Sequence, residues 1–146
     1  MKILHFLIAL CLITPHVHAQ TDAAEANKKI VLAFYDAALV KFDADAAVKY
    51  LGESYIQHNP RAPDGVEGVK GLIKFLKETQ PNRRSEIKRV LAEKDLVMIH
   101  VHAKSTPEDR GTAIIDIFRV QNGKIVEHWD VMQAVPEKSA NNNTMF

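Results

Sequence analysis

Pro81 divides this chain into two unlike parts, because apolar residues recur at three- and four-residue spacing before it and lie in β-branched, alternating runs after it. Before it, Ile30, Val31, Phe34, Tyr35, Ala38 and Phe42 mark the apolar face of a helix from Asp22 to about Phe42, with Asp22 and Glu25 spaced as a capping box. Asp43-Ala44-Asp45 can cap a shorter second helix through Leu51, and Gly52 is its natural stop. Ser54 to Pro60 reads as extended, since Pro60 disfavours helix at Asn59, and Arg61 to Gly65 reads as a loop. Val69, Leu72, Ile73 and Leu76 mark a third helix, which Pro81 must end. Four strands are predicted downstream: Ser85 to Glu93, Leu96 to Ser105, Thr112 to Gln121 and Lys124 to Ala134. Helices first and strands afterwards predict the α+β class, with three N-terminal helices packed on a curved antiparallel sheet.

The sharpest local signal is Asn122-Gly123, which favours a two-residue type I′ turn and so sets Gln121 opposite Lys124. Counting back pairs Phe118 with Glu127, Asp116 with Trp129 and Ile114 with Val131, and period-two alternation places all six on one face. His128 and Asp130 then share the other face with Ile115, Ile117 and Arg119, so His128-Trp129-Asp130 cannot act as one unit. If the preceding hairpin closes near Glu108, His100 faces Asp116 and His102 faces Ile114. A shift of one residue would send both histidines to the opposite face.

The N-terminus predicts export. Lys2 precedes an apolar run from Ile3 to Ile13, and Val17-His18-Ala19 offers a cleavage site, so residues 1–19 read as a signal peptide and the product as periplasmic or secreted. Cys11, the only cysteine, lies in that leader, which precludes a disulfide in the mature monomer. The run falls short of the roughly 20 apolar residues a span requires, and no later stretch approaches it, so stable membrane insertion is not expected. Removing Lys2 leaves eighteen basic and eighteen acidic residues. That balance argues against nucleic acid as a partner and for a small molecule. The remaining 127 residues suffice for one domain, 20–136, before a tail, 137–146, that lacks periodicity and is expected to be mobile.

The runs Asp116-Ile117-Phe118-Arg119-Val120 and Asn122-Gly123-Lys124-Ile125-Val126-Glu127-His128-Trp129-Asp130-Val131-Met132-Gln133 resemble SnoaL-like polyketide cyclases of the nuclear transport factor 2-like superfamily. Tyr55-Ile56-Gln57-His58-Asn59-Pro60 and Asp64-Gly65 share the likeness, which covers nearly the whole mature chain. It implies a cone-shaped fold with one deep pocket, and homodimers are common in the superfamily. It also implies intramolecular aldol condensation without metal or organic cofactor, by an aspartate acid/base with a nearby histidine. The aspartate falls on Asp116, and the histidine on His102 or, alternatively, His100. An exported protein is an unusual polyketide biosynthetic enzyme, and the superfamily also holds isomerases, dehydratases, hydrolases and noncatalytic binders.

The chemistry of the residues agrees with that assignment. A buried Asp116 would lose hydration and could take a proton next to a carbonyl, while His100 or His102 supplied the complementary acid. A purely structural Asp116 would instead be locked to Trp129 or Lys104. The spacing of His100 and His102 also suits two ligands of one metal, with His58 or Asp116 as a third, although the leading reading needs none. His58 and Asn59 could orient a substrate at the pocket mouth, Phe118 and Trp129 could form its wall, and Gln133 could hydrogen-bond deeper inside. Two functions follow: a cofactor-independent lyase or isomerase acting on a small carbonyl compound, or a binding protein that uses the same pocket without turnover.

Overall fold

The computed structural model describes residues 16–146, with side chains from Asp22 onward; the leader expected over residues 1–19 lies outside them as far as residue 15, and Cys11 with it. Helix α1 (His16–Tyr35) begins before Asp22, so the expected capping box does not start it, and Glu25 pairs with Lys28 at 2.6 Å instead. The helix loosens into one π-turn (Asp36–Val40), and Phe42, with φ of 52°, breaks it. Asp43 then caps α2 (Ala44–Ala47), its carboxylate accepting from the Ala46 N–H at 2.9 Å. A 3₁₀ turn (Val48–Tyr50) follows, and β1 (Leu51–Gln57) begins where the second helix was expected to end. Gly52 is therefore a strand residue. A Cβ there would sit 2.9 Å from Val126 Cγ1, so glycine is what lets β1 lie close against its neighbour.

Helix α3 (Gly65–Thr79) buries Val69, Ile73 and Leu76 and is followed by β2 (Arg84–Glu93), β3 (Leu96–Lys104), β4 (Thr112–Gln121) and β5 (Lys124–Ala134). The sheet runs β1-β5-β4-β3-β2, antiparallel except for the β1–β5 pair. The helices cover one face, as the segregation at Pro81 implied. Among the described residues no helix is long and apolar enough to cross a membrane. After Ala134 the tail forms neither helix nor strand, and Phe146 ends against the uncovered face of the sheet, its ring 4.0 Å from that of His102.

Two register shifts decide which side chains meet. In β3, Val97, Ile99 and Val101 are all fully buried under the helices, a gain of roughly 1.5–3 kcal/mol per side chain over leaving them exposed. That gain pairs Ile99 with Asp116 and Val101 with Ile114, one residue from the expected register, and turns His100 and His102 to the uncovered face. The β3–β4 loop is set by Asp109, which accepts from the Ser105 and Gly111 N–H groups at 3.1 and 2.9 Å. The β4–β5 turn does fall at Asn122 and Gly123, with φ of 51° and 73°, and Gln121 faces Lys124. Val120 faces Ile125, but Arg119 faces Glu127, which leaves Val126 as the extra residue of a β-bulge. Beyond it Phe118 faces His128, Asp116 faces Asp130 and Ile114 faces Met132, in place of Glu127, Trp129 and Val131.

Candidate functional site

The bulge turns His128 and Asp130 to the helix-covered face, beside Asp116, and sends Glu127 and Trp129 to the other. These three polar residues line a cavity of about 720 Å³ between α1, α3 and the sheet. The end of β1 supplies Gln57 and, just past it, Asn59; alternation buries Tyr55 while Ile56 and His58 point out. Phe34, Leu76 and Phe118 form apolar wall, and the exposed Leu72, Phe75 and Met132 also line the cavity. A polar floor with apolar walls suits an organic molecule with one reactive polar end.

The hydrogen bonds fix where protons can sit. Gln57 Oε1 accepts from the Asn59 backbone N–H at 2.9 Å, a group that can only donate, so the orientation of that amide is settled. The same oxygen lies 2.8 Å from His128 Nδ1, which must therefore carry a proton. His128 Nε2 lies 3.1 Å from Asp116 Oδ1, so a second proton is shared between imidazole and carboxyl. Either an imidazolium donates to a carboxylate or the carboxyl donates to a neutral ring. Asp116 Oδ2 is buried without a hydrogen-bond partner among the described residues, which leaves it the unengaged acceptor of the site. Asn59 is oriented in the same way: its Oδ1 accepts from the Arg61 N–H at 2.8 Å, and its Nδ2 donates to both Asp130 oxygens at 2.9 and 2.7 Å.

Burial, with Asp116 only 6% exposed, is the main reason its pKa is raised above the ordinary carboxylate value. The nearby Asp130 adds to the rise, while the His128 bond and charge and the Arg83 guanidinium oppose it. Burial also pushes up the hydroxyls of Tyr35 and Tyr55, with Asp116 contributing to both, so they stay protonated donors. The site thus holds a basic, desolvated carboxylate that shares its proton with a histidine.

Of the residues expected from the sequence, Asp116, Phe118 and Asn59 line the cavity. The others do not. His100 Nδ1 accepts from Arg89 at 3.0 Å and His102 hydrogen-bonds the Arg110 carbonyl at 2.8 Å, both on the uncovered face, so neither can be the acid partner of Asp116. Trp129 lies on that face too, stacked on His58 with ring centroids 4.7 Å apart, and His58 bonds Glu127 at 2.8 Å. Gln133 pairs with Ala113 on the same side and is exposed. The expected lock of Asp116 to Trp129 or Lys104 is likewise absent among the described residues, since His128 takes that place.

His128, Asp130 and Gln57 are the site residues that strand counting missed. One signal pointed to them. Unbroken alternation puts Glu127 on the apolar face against Phe118, a buried unpaired carboxylate, whereas a bulge lets it pair with Arg119 at 2.8 Å outside. A metal site of His100 and His102 with Asp116 is ruled out by the same geometry. Asp116, His128 and Asp130 instead offer ligand atoms all within 4.8 Å of one another, although a cation would have to displace the Asp116–His128 and Asn59–Asp130 bonds.

Residues 31–128 match the SnoaL-like domain model, and the chain belongs to that family. No curated protein matches it. Among solved structures it is similar to a polyketide-cyclase candidate from Bacillus cereus, at 24% identity over 73% of this chain and 74% of that one, with a TM-score of 0.64. A SnoaL-like polyketide-cyclase candidate from Jannaschia is 17% identical over 75% and 87% of the two chains, with a TM-score of 0.63. A ketosteroid-isomerase candidate from Kribbella flavida is 13% identical over 81% and 85%, with a TM-score of 0.65. These likenesses establish the nuclear transport factor 2-like fold.

Proposed function

We propose that this protein is a cofactor-independent acid/base enzyme that removes or returns a proton next to the carbonyl of a small organic substrate. The reading rests on one observation: Asp116 Oδ1 is held by His128 while Oδ2 is buried, unpartnered and beside an apolar cavity. In the reactive form the shared proton sits on His128, Oδ2 takes the substrate's α-proton, and the C–H electron pair moves into the enolate. Returning the proton to the same carbon, to another carbon, or after carbon–carbon bond formation gives exchange, isomerisation or aldol chemistry. The names of the structural relatives, polyketide cyclase and ketosteroid isomerase, fit a carbonyl substrate.

All three outcomes begin with α-proton removal, so hydrogen–deuterium exchange of 4-phenyl-2-butanone in D₂O, followed by NMR, tests the reading. Asp116→Asn should slow exchange by about 10²–10⁴-fold and leave folding intact. Equal exchange by wild type and variant would refute the enzyme. A ligand that copurifies and stays chemically unchanged would then favour a binding protein.

Two further readings belong to the proposal. Export is supported by the Lys2 and Ile3 to Ile13 leader, and protein from its native host that keeps Met1 would overturn it. Homodimer formation is supported by the uncovered sheet face, where Leu91 and Val131 are 59% and 68% exposed. A monomer by light scattering at micromolar concentration would overturn that.

A further inference from the structure

The cavity extends beyond the Asp116–His128 pair. It runs along α3 from Asn59 and Pro63 before the helix to Gln80 and Arg83 after it, a span of about 20 Å at 1.5 Å per residue. At the Arg83 end the Tyr35 and Ser85 hydroxyls are buried side by side, so that one of their two protons is left to donate elsewhere, and Arg83 Nε is buried without a hydrogen-bond partner among the described residues. Tyr35 and Arg83 line the cavity itself, and Tyr35 closes α1 immediately before its π-turn. Arg83 has only the neutral Gln80 Oε1 as a side-chain partner, at 3.0 Å, whereas Arg119 on the opposite face is neutralised by Asp95 and Glu127. Buried donors beside a guanidinium that has no direct ion pair among the described residues are costly unless an anionic acceptor meets them, and a carboxylate matches the guanidinium fork.

We infer that Arg83 and Tyr35 form a carboxylate subsite, so that the substrate is an anionic carbonyl compound whose acid group lies at this end while its carbonyl faces Asp116. The substrate half of the inference rests on the acid/base reading; the subsite does not. The raised pKa of Tyr35, driven first by burial, keeps its hydroxyl a donor to such an anion. Arg61, the other arginine lining the cavity, is exposed on the loop before α3 and serves as the control.

Calorimetric titration of the full chain with 4-phenylbutanoate and with the isosteric 4-phenylbutanamide tests this. Wild type should bind the acid about tenfold or more tightly than the amide, a preference resting on charge-assisted hydrogen bonds. Arg83→Gln should bring the two within about twofold without changing amide affinity, Arg83→Lys should keep a reduced preference, and Arg61→Gln should keep it whole. Equal binding, no acid binding by wild type, or a preference that survives Arg83→Gln would overturn the subsite. If Arg83→Gln fails to fold, the wild-type ratio and the Arg83→Lys ratio decide. Because binding is read without turnover, a retained acid preference alongside Asp116-independent exchange would sink the acid/base reading alone. The opposite pattern would sink the subsite alone.

Discussion

Gln57→Leu should expose how far the site depends on one amide oxygen. That atom accepts two hydrogen bonds, from the Asn59 N–H at 2.9 Å and from His128 Nδ1 at 2.8 Å, and leucine of similar size accepts none. His128 is 8% exposed, so an unmet Nδ1–H there costs about 1–3 kcal/mol. The half-buried Asn59 N–H adds up to about 1 kcal/mol, and the apolar side chain returns a similar amount, leaving a net loss of about 1–3 kcal/mol. Denaturant unfolding at neutral pH reads that loss. Long-range ¹H–¹⁵N spectra of the imidazole read the cause: Nδ1 should be the protonated nitrogen in wild type and should lose that status in the variant, where nothing holds the tautomer. Unchanged stability, or a wild-type His128 with a bare Nδ1, would refute the proton assignment. The acid/base reading would lose its partner for Asp116 with it.

Two more predictions follow from the same contacts. Because burial raises the pKa of Asp116 in the folded state, the native protein holds a proton that the unfolded chain releases, and stability from this group is full at acid pH and falls as pH rises through the folded value. Asp116→Asn should therefore melt higher relative to wild type at pH 7 than at pH 4; a gap that is constant or reversed with pH would contradict it. His102→Ala should lose about 1 kcal/mol, through its bond to the Arg110 carbonyl and its stack on Phe146, yet keep exchange of 4-phenyl-2-butanone within about twofold of wild type. A collapse of exchange at unchanged stability would return His102 to the reaction.

The fold was legible because its signals are local. The switch of period at Pro81 placed α3 before it and β2 after it, and the Asn122-Gly123 turn gave β4 and β5 at their observed bounds. The second helix ran too long in expectation because Gly52 reads as a stop, whereas its lack of a side chain serves packing against Val126. Asp116 was legible as a buried carboxylate, but its partner was not, since partnership depends on parity. His100 and His102 were placed inside at the expense of Val97, Ile99 and Val101, although burying those three outweighs any polar contact that histidines could make there. The tail carries no periodicity to read, and the seat of Phe146 on His102 is a tertiary contact with no sequence signature.

Parity also explains why the most conspicuous residues changed sides together. Side chains alternate with a period of two, so one extra residue at Val126 inverts everything beyond it in β5 at once. Glu127 leaves the apolar face and meets Arg119 and His58, Trp129 follows and stacks on His58, and His128 and Asp130 enter to meet Asp116 and Asn59. Each of those four placements is favourable in the bulged register. In the unbroken register Glu127 would be buried against Phe118, and Asp116 would keep its full desolvation cost with no imidazole to share a proton. Formation of the site and relief of a misplaced glutamate are thus one event, and the His-Trp-Asp run is split so that its central residue points away from the two that line the cavity.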